Sequence, residues 1–271
     1  MAAARLAGQV AWIGGGASGM GEAVCELFAA EEANVAVVDV QADRARHVAD
    51  RIASAGGKAI AIPCDVSRED QVKQSIDAAT KAFGPVQTVV NCAGIVHVKL
   101  LHEYTEQEWD ELMGVNVKSI FFSIKHALAC LMQHRRSYMV NIGSIGSFIG
   151  QAYTPAYSTS KGAVLQLSRS IALDYAAIGL RCNCICPGIT DTPMLRYHLS
   201  TTADPEATLR ERLRRVPMGI PMLPRDIARA ALYLCCEDSS GVTGTSLVVD
   251  GGYLAAAEWQ TQGETAFRDR C

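Results

Sequence analysis

Residues 157–161 read "YSTSK", and 13 residues upstream Ser144 stands in "VNIGSIGS". On a helix, Tyr157 and Lys161 at i and i+4 share one face. A phenol has a reference pKa near ~10, too high for a base at neutral pH, and an adjacent ammonium favours the phenolate. The pair therefore suits removal of a hydroxyl proton, the event that must accompany loss of hydride from an alcohol carbon. A serine hydroxyl beside it would orient the same oxygen and stabilise charge developing there. Tyr and Lys fall at this spacing by chance about 0.2 times in a chain of this composition, so the pair needs a context.

The context is a set of elements that could bring these residues together. Seven apolar runs alternate with longer helical patterns: "QVAWI" (9–13), "VAVVD" (35–39), "AIAIP" (59–63), "QTVVN" (87–91), "YMVNIG" (138–143), "RCNCIC" (181–186) and "SLVVD" (246–250). They are apolar on both faces, as parallel strands covered by helices on each side must be. The expected fold is α/β, a doubly wound seven-stranded parallel sheet flanked by helices on both faces. No linker or repeat divides the chain, so 1–271 reads as one domain, with a substrate lid at about 190–224 and a tail at 254–271. Ser67 and Thr105, each followed three residues later by an acid, fit capping boxes. Thr154 and Pro155 suit the start of the helix carrying Tyr157, and Gly179 its far end. Ligands of such a sheet bind beyond the carboxyl ends of the strands, and Ser144 ends the fifth.

A second site borders that crevice. "GGGASGMG" (14–21) lies between the first strand and a helix on which Met20, Val24, Leu27 and Phe28 share a face. A strand-to-helix turn aims backbone N–H groups and a positive helix end at a phosphate. Gly14, Gly16 and Gly19 fit one dinucleotide spacing, and Gly15, Gly19 and Gly21 another. Asp39 closes the second strand, where a carboxylate accepts from both adenosine ribose hydroxyls and repels a 2′-phosphate. No basic residue follows in "VQAD" (40–43), so NAD is expected in preference to NADP.

Taken together, "GGGASGMG", "CDV" (64–66), "NCAG" (91–94), "NVKSIF" (116–121), "NIGSIGS" (141–147), "YSTSK", "PGITDT" (187–192) and "VVDGGY" (248–253) resemble the short-chain dehydrogenase/reductase family over residues 5–253. The resemblance implies a Rossmann fold and a catalytic tetrad of Asn116, Ser144, Tyr157 and Lys161, with Asn116 holding a relay water. It selects Gly15, Gly19 and Gly21 as the working glycines, with Ser18 and Met20 beside them. It implies that Asp65 and Val66 meet the adenine and that Asn91, Ala93 and Gly94 line the cofactor cleft. It places Pro187, Gly188, Ile189 and Thr192 around the nicotinamide, with Lys161 and Tyr157 also touching the cofactor. Where the family has Thr, this chain has Gly14, whose missing hydroxyl implies a looser loop that Gly14→Thr would stiffen.

The substrate end is less readable. Ser144, Gln151, Tyr157 and Tyr197 are expected to touch the substrate, with Leu195, His198, Met222, His97, Phe148 and Tyr153 as further candidate walls. Arg210, Arg212, Arg214 and Arg215 read as a solvated helix face, with an anion patch as the lesser alternative. A secondary alcohol or its ketone is expected, of cyclic alcohol, diol, sugar or steroid type. A 3-oxoacyl thioester reductase and a non-catalytic nucleotide sensor are the alternatives. A formal net charge of −3 gives no general pull toward nucleic acid or an anionic membrane. No run approaches the ~18 apolar residues of a membrane span, and the first residues lack a secretory signal, so a cytoplasmic protein with reduced thiols is expected. Cys182, Cys184 and Cys186 read as core packing and no metal is expected. The resemblance implies a homotetramer or homodimer, with helices in 105–133 and 154–178 pairing between subunits.

Overall fold

Val10–Gly14 forms the first strand, β1, because its side chains find cover on both sides. Ala11 and Ile13 enter one hydrophobic core, Val10 and Trp12 the other. The same division runs along β2 (Asn34–Asp39), with Val35 and Val37 on the first side and Ala36 and Val38 on the second. The computed structural model describes residues 4–256. It completes the sheet with β3 (Lys58–Pro63), β4 (Thr88–Asn91), β5 (Ser137–Ile142), β6 (Leu180–Pro187) and β7 (Ser246–Val249). Strand order is β3-β2-β1-β4-β5-β6-β7 with every neighbouring pair parallel. The order reverses between β1 and β4, which opens a crevice at their carboxyl ends.

Helices cover both faces, as the sequence predicts. On one side lie α1 (Gly19–Ala30) and α2 (Ala42–Ser54), joined later by a C-terminal helix. On the other, α3 (Glu69–Phe83) packs with two helices that follow β4 and β5. Between β4 and β5 come α4 (Glu106–Met113), a π-helical turn at Gly114–Lys118, and α5 (Ser119–Leu131). After β5 comes α6 (Pro155–Asp174). After β6, α7 (Pro193–Ser200) and α8 (Pro205–Leu213) make an excursion before α9 (Pro224–Leu234) returns to the first face. The excursion is stitched shut at its base: Met222 N–H donates to Ile189 O at 2.8 Å and Asp191 N–H to Met222 O at 2.9 Å.

Local details agree with expectation at one place and differ at two. Thr105 does cap α4, accepting from Glu108 N–H at 3.2 Å while Glu108 bonds back. Ser67 does not cap α3, because its hydroxyl and amide both donate to Asp65 Oδ1 at 2.7 and 2.9 Å. The helix carrying Tyr157 stops at Asp174, and Gly179, with φ +84°, closes a following short turn instead. Cys182, Cys184 and Cys186 fill the core beneath α6. Tail residues 257–271 lie outside the described residues.

Candidate active site

The loop after β1 is held by backbone. Gly15 and Gly16 N–H donate to Val38 O, and Cys92 and Ala93 N–H donate to Gly14 O at 2.8 and 3.0 Å. Gly15 has φ +79°, and a Cβ there would lie 2.5 Å from Ala93 N. A Cβ on Gly21 would overlap the Gly15 carbonyl oxygen. These positions require glycine, which agrees with the spacing selected by the resemblance. At Gly14 the expectation of a loose loop is corrected. A Cβ there would sit 2.7 Å from the ring of Trp12, which is fully buried and donates from Nε1 to Ser75 Oγ at 3.0 Å. The indole occupies the space a threonine would need.

Ser18 precedes α1 without a side-chain bond to its first turn, so the first amides retain no cap. Asp39 holds the floor nearby: Oδ2 accepts from Ala17 N–H at 3.0 Å and Oδ1 from Gln41 N–H at 2.9 Å. Asp65 is turned into the Ser67 bonds described above, with Val66 buried beside it. Asn91 is buried and donates to Asn141 Oδ1 at 2.8 Å, a bond within the sheet. Ser18 and Gly19 line a side recess with Arg44, Arg51 and Arg196.

The main cleft, of about 920 Å3, lies at the carboxyl end of the sheet. It brings together Ser144, Tyr157, Lys161, Met20, Gly94 and Gln151, along with Pro187, Gly188, Ile189 and Thr192. Ser144 Oγ accepts from Gly146 N–H at 3.0 Å, which leaves its own O–H to donate toward the Tyr157 phenol and the cleft. Ser147 Oγ donates to Lys161 O at 2.7 Å and so fastens this turn to α6. The loop leading into α6 is strained at Tyr153, whose φ is +60°, and its carbonyl accepts from Lys99 N–H at 2.7 Å.

Lys161 is buried, and its Nζ donates to Ile142 O at 2.8 Å. Burial pushes its ammonium down to about 8. The same ammonium lies 5.5 Å from the centre of the Tyr157 ring. Burial raises the Tyr157 phenol above its usual value, and the Ser144 hydroxyl opposes this. Desolvation is thus the largest influence on the phenol.

Asn116 lies behind the cleft on the π-helical turn, not on its wall. Its Oδ1 accepts from Ile95 N–H at 2.8 Å, and Nδ2 donates to Ile95 O and Ser160 Oγ at 3.0 and 2.9 Å. A Cβ on Gly94 would lie 3.4 Å from Asn116 Oδ1 and 3.5 Å from Lys161 Nζ, so both groups converge over that glycine. The π-turn has no compositional signature in "GVNVK", and only the resemblance pointed to Asn116.

Tyr197 is corrected. The α7 face bearing Met194, Leu195 and His198 turns to the cleft, and Tyr197 falls off it, half exposed. Phe148, His97 and Met222 are likewise absent from the lining, while Tyr153 is present. Arg212, Arg215 and Tyr253 also line the cleft; Arg215 is exposed, as a solvated face predicts, whereas Arg212 is half-buried.

Residues 15–254 match the family model described as enoyl-(acyl carrier protein) reductase. "Dehydrogenase/reductase SDR family member 6" of Danio rerio is 36% identical over 250 residues, spanning 92% of this chain and 98% of that protein. The chain belongs to the short-chain dehydrogenase/reductase family. The crystal structure of levodione reductase superposes with TM-score 0.90 at 28% identity, covering 93% of this dehydrogenase/reductase chain and all of that one. An Agrobacterium tumefaciens structure assigned as a 2-deoxy-D-gluconate 3-dehydrogenase, with NADP bound, gives TM-score 0.85 at 33% identity, covering 94% of this chain and 100% of that one. This member of the family is an oxidoreductase acting on CH–OH with a nicotinamide dinucleotide. The free first-turn amides of α1, the Asp39 floor and the cleft walls fit such a group.

Proposed function

We propose that the chain transfers hydride between a secondary alcohol and NAD, giving the ketone, with Tyr157 as the proton-transferring group. The convergence of Ser144, Tyr157 and Lys161 on one cleft carries this reading. Ser144 donates its O–H to the substrate oxygen and fixes that oxygen beside the phenol. Tyr157 takes the hydroxyl proton in oxidation and returns it in reduction. Lys161 keeps a positive charge beside the phenolate, and its bond to Ile142 O fixes where that charge sits. Asn116 sets the backbone at Ile95 and the edge of α6 at Ser160, so it positions Gly94 against Lys161. When bound, the nicotinamide supplies the carbon that accepts or returns the hydride.

Cofactor choice rests on Asp39, a carboxylate fixed at the end of β2 where a 2′-phosphate would be repelled. NADP is the second reading, favoured by Arg44 and Arg225, which line the side recess and enter no ion pair among the described residues. The Agrobacterium relative's bound NADP points the same way. Steady-state kcat/KM over a panel of secondary alcohols decides: NAD should exceed NADP by at least about tenfold. Equal or reversed values would overturn the NAD reading.

The family resemblance, with apolar Phe121 and Met132 exposed around α5 and Leu173 exposed on α6, supports a homotetramer in which these helices pair. Among the described residues no helix is long and apolar enough to cross a membrane, and a cytoplasmic setting is proposed with the same reading.

A further inference from the structure

The four arginines around α8 separate into two kinds. Arg210 pairs with Glu206 at 3.5 Å and Arg214 with Glu211 at 2.9 Å, all strongly exposed. Arg212 and Arg215 enter no ion pair with a carboxylate among the described residues, and both line the cleft that holds Tyr157. Glu211 also borders the cleft, with its carboxylate turned to an exposed ion pair with Arg214. Each unpaired arginine is held instead by an uncharged aromatic group from another element. Arg212 Nη2 lies 3.2 Å from His198 Nε2 on α7. Arg215 lies over the Tyr253 ring, 5.0 Å from its centre.

This arrangement places two guanidiniums at the cleft, Arg212 half-buried and Arg215 exposed over a ring, without cancelling their charge. His198 is driven down from its usual range by burial and by Arg212, so it stays neutral and accepts from that guanidinium. Arg212 is half-buried, and burial pushes its guanidinium pKa down too, which marks an unmet demand for a counter-charge. A guanidinium fork matches carboxylate, sulfonate or phosphate oxygens in a bidentate geometry that a hydroxyl cannot use as well. Apolar Val96, Ile149 and Leu195 line the same cleft, so the rest of the substrate meets hydrocarbon.

We propose that the substrate is an anionic secondary alcohol or its ketone, whose oxyanion group is received by Arg212 and Arg215. The inference rests on the dehydrogenase reading and deepens it. It requires no change in the hydride or proton steps, only an anchor remote from the reacting carbon.

The test uses the full-length chain and a series of secondary hydroxy acids of graded length, each compared with its own carboxamide. At the best chain length the carboxylate should win in kcat/KM by about tenfold or more. Phosphonate and sulfonate analogues then distinguish the oxyanion. Arg212→Gln and Arg215→Gln should each collapse that preference through KM for the acid, and Arg212→Lys should restore part of it. An activity-independent arm uses thermal shift in the presence of cofactor: simple alkanoates should stabilise the wild type, alkanamides should not, and Arg212→Gln should abolish the effect. Carboxamides turned over as well as the acids would overturn the anion anchor while leaving the dehydrogenase reading intact. An Arg212→Gln defect seen as a raised cofactor KM instead would also overturn it. If no alcohol turns over yet alkanoates still stabilise the protein, the dehydrogenase reading fails and the anion site stands. If alkanoates give no shift, the anion site fails.

Discussion

Lys161 carries a cost that its function explains. Its ammonium is buried against Ile142 O, and its folded-state value falls to about 8 from an ordinary 10.5. Below about 8 both folded and unfolded chains hold the proton, and the full penalty of burying it is present. As pH rises from about 8 toward 10.5 the folded chain sheds the proton first, so the penalty is relieved and stability rises. Lys161→Met removes the charge and leaves one carbonyl unpaired, and should stabilise the protein at pH 7 by about 2 kcal/mol while abolishing turnover. The gain should vanish above pH ~10. Denaturant unfolding at the two pH values checks this, and a destabilised Lys161→Met at pH 7 would show that the Ile142 bond outweighs desolvation. At the same scale, burial raises the Tyr157 phenol, the Ser144 hydroxyl opposes that rise, and positive charge brought into the cleft would oppose it further.

At the scale of elements, β1 and its following turn carry the sharpest disagreement with expectation. Trp12 and Gly14 share a strand face, and the indole lies where a side chain at Gly14 would go. Gly14→Thr should therefore lower Tm by several degrees, and the loss should be smaller in a Trp12→Leu background. Equal losses in both backgrounds would remove the steric explanation. A family comparison suggested the opposite sign, because it shows which residue is usual but not what fills the space in this chain. The strands were legible to within about a residue, since their two-sided apolar pattern is set by the same helices that bury them. The cap at Thr105 was legible for a local reason, and the false one at Ser67 failed for a local reason too, because Asp65 competes for its hydroxyl. The π-turn at Asn116 and the turn of α7 that excludes Tyr197 were not legible, since both depend on packing between distant segments. Part of the arginine pattern was present in the sequence: Glu206 and Glu211 stand at helix spacing to Arg210 and Arg214, which leaves Arg212 and Arg215 to other partners.

At the scale of the whole molecule, the parallel sheet explains why residues from so many segments meet. Each strand ends at the same edge, so Gly94 after β4, Ser144 after β5 and Gly188 after β6 border one cleft, and α6 places Tyr157 and Lys161 beside them. The α7–α8 excursion closes over the remaining side and brings the unpaired arginines. If the proposed tetramer forms through α5 and α6, replacing highly exposed Leu173 by Glu should lower the assembly number in light scattering without unfolding the subunit. An unchanged mass would exclude that face as an interface. The central proposal is that Tyr157 moves the proton while the rest of the cleft binds. The decisive measurement is Tyr157→Phe, assayed for alcohol-dependent NADH formation and, separately, for NAD binding by calorimetry. Turnover should fall at least about a thousandfold with NAD affinity within about twofold of wild type. Wild-type turnover in the phenylalanine variant would contradict it.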